Sequence, residues 1–599
     1  AAGTALVFAG LQGNSDNFTL FTAGPTGYAF GSQQNRLIFT TAPTLVNGLI
    51  PRAIVTDATG TNFASYAAPG ALNAPTGLFG FSGYTTAGSL ESAPTTSLFN
   101  QLADVKLASN AQVNALKLTN AAVGSFAGLN TLNLSGSGMI LATGNSTLGA
   151  GVLLNTNATI PSFMVAAGAT LDIDGSTFNN VAGAGWHKGL DGTLNFNAQQ
   201  FAGGAGWTTI QAGRVVLNGG TNTLPTTTSM VINPGATLDL GGDETLGTLA
   251  NAGTITLSAV GSTLTVSSGT SSGAINGDGS LTKTGPGSLA LTGANAFTGA
   301  TTISGGTVTA SAGALGGTSA VSIGAAATLI AVDVNNTATL GIAATGTGSF
   351  SAAGLTVGAV SNEGTLNFTA LTGRITLTSL SGLGTTNFSS DALISGGISG
   401  GVVNVAGNLN STISGGIVTT FSLDTTSITG GVVTVTGANT ATGGTNTVSG
   451  GTVRLGDDAA VATGGLVVTG PATFTSDGGG LRNVASDVAL GGDVTLGDAT
   501  FGGDLNFTGA IDLGLATREI TTVADATFAG NISGQGGLNK TGTGTLTLSG
   551  TGNTFSGTTD VNAGTLATTG NNVLSSTAGI TIANGATVQL GGNETLSSI

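Results

Sequence analysis

The chain contains no cysteine and one histidine, and only 7% of its 599 residues carry charge. Each shortage removes a class of chemistry. Without cysteine there is no disulfide, no zinc–thiolate centre and no thiol nucleophile. A single imidazole, His187, excludes metal sites built on several histidines. It leaves a Ser-His-Asp arrangement one candidate. Its setting, A-G-W-H-K-G, is a glycine-rich turn and predicts an exposed loop histidine. An ordinary soluble domain is roughly 25% charged. Here 12 Lys and Arg stand against 27 Asp and Glu, for a net charge of −15. No basic cluster interrupts that balance. Nucleic acid is therefore not expected as a partner, because phosphates are held by Lys and Arg.

Long apolar runs are missing too. No stretch approaches the ~20 apolar residues that span a bilayer as a helix, so this segment is not expected to insert into a membrane. The start, A-A-G-T-A-L-V-F-A-G, lacks the basic n-region of a signal peptide. Sustained i, i+3, i+4, i+7 apolar spacing is also absent, and helices with it.

What is present is glycine, threonine and short alternation. Glycine accounts for 104 of 599 residues, well above the usual ~7%. Hydrophobic residues make up 40% and the mean hydropathy is +0.36, so there is apolar surface to bury. T-L-N-L at 131–134, T-L-D-L at 237–240, S-L-A-L at 288–291, V-V-T-V at 432–435 and T-L-T-L at 545–548 each present one apolar and one polar face. Gly-Gly, Asn-Gly and Ser-Gly pairs punctuate them as turns.

Two near-copies, at 273–306 and 530–564, mark a repeat architecture. Hairpins would build a sandwich or barrel; a coil would build a solenoid. Spacing favours the coil: Leu281 to Ile303 is 22 residues, Leu289 to Val308 is 19, Leu538 to Val561 is 23 and Leu546 to Leu566 is 20. Trp186 and Trp207, each ending an A-G-W triplet, lie 21 residues apart, which predicts stacked indoles on successive coils. The expected fold is all-β: a right-handed parallel β-helix (β-solenoid) over 101–599, with a β-rich N-terminal module at 1–100 acting as cap or assembly region. That module holds all three tyrosines (Tyr28, Tyr66, Tyr84) and six of the eleven prolines. The last sixteen residues repeat 234–249 and stop mid-pattern, which predicts a longer polypeptide.

The pattern G-x-G-x-L-x-K-T-G-x-G-x-L-x-L-x-G … N-x-F-x-G-x-T-x-[IV]-x-x-G-x-[VL], at 275–308 and 532–566, resembles the autotransporter-associated β-strand repeat. Lys283-Thr284-Gly285 and Lys540-Thr541-Gly542 are its centres, and a decayed echo occupies 437–453. The resemblance implies a parallel β-helical passenger region displayed on a bacterial surface. It implies no activity. The Lys-Thr-Gly centres read as structural, since no acidic residue accompanies them at fixed spacing.

Few residues suggest chemistry. Asp172 and Asp174 share one strand face, and Asp487, Asp493, Asp498 and Asp504 follow at spacings of 6, 5 and 6, each near a glycine. These are the candidate calcium ligands, although the EF-hand pattern needs more; solvated turn carboxylates are the plainer reading. Trp186 and Trp207 are the candidate sugar-stacking residues. No cofactor motif is present, and no catalytic residue stands out. The expectation is a non-enzymatic extracellular scaffold or adhesin, with self-association into fibres or lateral arrays, or surface glycans, as its contacts. The alternative is a carbohydrate-binding or carbohydrate-degrading β-helix enzyme, which would need two convergent carboxylates.

Overall fold

A computed structural model describes residues 101–599 apart from 127, 156–160, 176–177, 180–184, 201–206, 336, 371, 414–416, 424–426, 436, 438–444, 462–463, 479, 501–503 and 575–578. Before residue 101 it describes 4–8, 19–22, 35–39, 42–45, 47, 49–50, 53–58, 60–67, 77–82, 84–86, 89–93 and 98–100. Tyr28, most of the early prolines and the middle of the 437–453 echo lie outside these residues.

The chain divides into two compact units, Ala1–Thr318 and Ser319–Ile599, and each holds one strict copy of the repeat. Apart from one 3-10 turn at Leu90–Ser92, the regular elements described are strands. Both units are parallel β-solenoids. In the first, ten strands from Val105–Leu107 to Ala296–Phe297 form one continuous parallel sheet. In the second, six strands from Arg482–Val484 to Thr587–Gln589 do the same.

The alternation explains why. In the strand Thr254–Leu257, Ile255 and Leu257 point inward, fully buried, while Thr254 and Thr256 point out. One coil earlier, Leu238 and Leu240 occupy the same inward positions in register. Each such side chain contributes roughly 1.5–3 kcal/mol by leaving water. Strands ~4.8 Å apart then stack like on like. Phe350, Phe368 and Phe388 show this in the second unit. Their rings lie parallel, with centroids 5.8 Å and 4.9 Å apart.

The ladder refines the coil length. Leu289 pairs with Val308 and Leu546 with Leu566, as the spacing predicts. Leu281, however, pairs with Thr301, and it is Lys283 that pairs with Ile303. Likewise Lys540, not Leu538, pairs with Val561. The shift is two residues, so the inward face is unchanged. Its consequence is that the repeat lysines point into the solenoid.

Residues before 101 pair differently. Ala53–Asp57 runs parallel to Thr19–Thr22 but antiparallel to Gly60–Ala67, which pairs antiparallel with Gly77–Gly80. Phe63 joins a cluster with Leu98, Ala115, Met139, Leu141 and Met164, so this sheet shares the core of the first coils.

Candidate functional site

The most distinctive polar groups are three lysines with no exposed surface: Lys188, Lys283 and Lys540. In the strands Ser280–Lys283 and Leu538–Thr541 each lysine is two residues after an inward leucine and therefore faces inward. A lone charge there would be prohibitive, and backbone carbonyls solve the problem. The Lys283 ammonium donates to the carbonyls of Thr284 (2.5 Å), Gly285 (2.9 Å) and, one coil on, Gly305 (3.1 Å). The Lys540 ammonium donates to Thr541 (2.8 Å), Gly542 (3.0 Å) and Ala563 (3.0 Å). All three N–H donors are used, and successive coils are clasped at a corner.

The glycines of the repeat follow from this clasp. Gly306 sits at φ 69°, and a Cβ there would lie 2.9 Å from the Lys283 Nζ and 2.3 Å from the Gly287 carbonyl. Gly564 holds the same position against Lys540. Only glycine fits both the φ and the space.

Lys188 builds a third clasp outside the repeats, donating to Gly189 (3.0 Å), Leu190 (2.6 Å) and Ala212 (3.1 Å). Leu190, at φ 63°, takes the left-handed conformation that Gly285 (φ 67°) and Gly542 (φ 76°) take two residues after the other two lysines. The expectation of an exposed loop at His187 is thus corrected. His187 lies in the strand His187–Gly189 and is only 4% exposed, because the stretch continues the ladder rather than turning. Burial lowers all three lysines: Lys188 to about 7, Lys540 to about 8, and Lys283 in the same direction.

Carboxylates and amides serve similar ends. Glu244, buried, accepts from the amides of Thr223 (2.9 Å) and Leu224 (3.2 Å) one coil earlier, and burial pushes it up to about 8. Glu594, its counterpart in the terminal copy of 234–249, caps Val573 and Leu574 at 3.0 Å each. Asn295 accepts from Ile275 on the preceding coil and donates to Ala314 on the next, both at 2.9 Å. Asn553 repeats this between Ile532 and Val573.

Four of the six candidate calcium ligands, Asp172, Asp174, Asp487 and Asp493, fall into the same pattern. Asp172 and Asp174 accept from the amide groups of Asn195 (2.6 Å) and Asn197 (2.5 Å), one coil on. Asp487 accepts from the Ala510 amide and Asp493 from the Glu519 amide, both at 2.9 Å. Asp498 accepts from Thr500 in its own turn at 2.7 Å and faces Arg454 at 3.9 Å. Asp504 contributes its backbone carbonyl to Arg482 N–H at 2.9 Å. Among the described residues, no group of three or more acidic or histidine side chains is arranged to hold a metal.

The two tryptophans do not stack on each other. Trp186 is 5% exposed and packs in the core against Phe163 and Phe196, with centroids 6.3 Å and 5.2 Å away. Trp207 is 54% exposed. The reason is register: His187 pairs with Thr209, so Gly185 lies level with Trp207, and the indoles fall on opposite faces of the alternation. A small cavity inside the second unit is wholly apolar, lined by Leu466, Phe474, Val488, Leu496, Phe507 and Phe528 among others, and offers no polar group to a reaction.

Sequence reading missed the inward lysines, although G-S-L-T-K and G-G-L-N-K place Leu and Lys on one face. It also missed Glu244 and Asn295, whose partners lie one coil away. No curated protein and no solved structure gives a significant match to the chain. Residues 281–310 and 538–567 match the family described as Passenger-associated-transport-repeat, and each segment opens on the leucine before a lysine clasp and runs through its closing glycine. The chain therefore carries two passenger-associated-transport-repeats, one in each unit, of the repeat class that autotransporter passengers bear.

Proposed function

We propose that this chain is a non-enzymatic extracellular scaffold or adhesin of a bacterial cell surface, able to assemble into fibres or a surface layer. The transport repeats support a secreted or surface-exposed passenger. The observation that carries the scaffold reading is how the polar side chains are spent. Lysines, glutamates, asparagines and most candidate aspartates bond to the neighbouring coil, and the bonds hold coil to coil. Stability then comes from repeated nearest-neighbour contacts, which suits a structural support.

Screening the chain against soluble polysaccharides for new reducing ends tests this. The scaffold reading expects no release above a heat-denatured control. Release that disappears on changing a specific pair of carboxylates overturns it.

A further inference from the structure

Trp207 stands at the head of an outward column in the first unit. Pairing aligns Trp207 with Ser229, Ser229 with Thr248, and Thr248 with Ser268. Gly269 pairs with Leu289, which brings Ser288 level with Ser268, and Ser288 pairs with Thr307. One coil before the indole lies Gly185, which has no side chain. The adjacent outward column runs from Thr209 through Val231, Ala250, Thr270 and Ala290 to Thr309, with the buried His187 one coil before it. Neither column contains a charged side chain, although the chain carries 27 acidic residues.

We propose that this strip binds a neutral polysaccharide chain running along the coils. Three features point to that occupant. A half-exposed indole flanked by glycine and serine presents a face to the apolar C–H side of a sugar ring; aromatic rings of this size dominate contact energetics. Below it, small hydroxyls and methyls alternate, matching the mixed hydroxyl and C–H surface of a glycan. The hydroxyls recur once per ~4.8 Å coil, close to the length of one pyranose along its chain. Charge selects among glycans: an uncharged strip on a protein of net charge −15 suits a neutral polymer and repels an acidic one. A second copy of this chain fits less well. A stable protein interface needs a large patch with a well-packed apolar core, and here one aromatic stands among small polar side chains. The inference is independent of the scaffold reading, which concerns catalysis and location.

Affinity electrophoresis of the full chain tests it, in gels containing hydroxyethyl cellulose, soluble yeast mannan or, as an acidic comparator, alginate. The expected result is retardation in a neutral gel and none in alginate. Trp207→Ala should weaken it about tenfold and Trp207→Phe should retain most of it, with the thermal midpoint unchanged in both. Absence of retardation in both neutral gels, retardation in alginate alone, or equal retardation of Trp207→Ala overturns the proposal. So does a Trp207→Ala variant that converts a sedimenting dimer to monomer without altering mobility in glycan gels, since the strip would then be a self-association face.

Discussion

The lysine clasp is where residue chemistry and repeat identity meet. A fully buried ammonium is tolerated because three carbonyls face it, two from its own turn and one from the next coil. Removing it strands those acceptors, and an unsatisfied buried acceptor costs about 1–3 kcal/mol. Lys540→Met, which keeps the volume, should therefore destabilise the chain by about that amount, read as a lower urea midpoint by circular dichroism. The pH dependence has a defined sign. Lys540 is lowered by burial to about 8 from 10.5, so between those values the unfolded chain binds the extra proton and stability rises with pH. Lys188, lowered to about 7, acts in the same direction. Glu244, raised from 4.5 to about 8, loses stabilising effect as pH rises between those values, so the window above pH 8 belongs to the lysines. The wild-type midpoint should climb from pH 8 to 10 and the Lys540→Met midpoint should climb less. Parallel profiles would contradict the lowering of Lys540 by burial. The repeat sequence reads these lysines as structural, since no acid accompanies them at fixed spacing. It did not show how, because the third carbonyl of each clasp lies 22 or 23 residues away.

At the scale of the strand, alternation decides what is inside, and register decides what stacks on what. Both were readable where Thr and Leu alternate cleanly, as in T-L-D-L and T-L-T-L. Register failed at the tryptophans, where a 21-residue sequence spacing met a 22-residue ladder offset. One residue of slip exchanges core for surface. Stacked side chains then act as a column rather than as single contacts. Phe368 lies between Phe350 and Phe388 and is 1% exposed, and the outward Asn387 bonds to Asn367 and Asn404 at 2.7 Å on either side. Phe368→Ala removes the middle ring and should cost about 3–5 kcal/mol. Hydrogen exchange should show faster opening in the strands Thr347–Phe350 and Thr385–Phe388, both partners of Phe368's strand. Unchanged protection there would mean that the rings are not coupled along the column.

For the whole molecule, the acidic excess has a structural explanation that composition alone does not supply. Asp104, Asp243, Asp487, Asp493 and Asp525 each accept a backbone N–H from the following coil. Carboxylates that tie coils together need no ligand to account for them. The class of fold was legible because solenoids repeat in sequence as in space. The clasps and brackets were not, because each is completed by a residue a full coil away. The proposed scaffold role requires that this polypeptide be presented outside the cell. The most direct measurement is antibody detection on intact cells that produce the chain, with and without mild treatment by an added protease that cannot enter. Strong labelling of intact cells that falls after protease treatment is the expected result. Signal seen only after lysis, and unaffected by protease outside the cell, would contradict it.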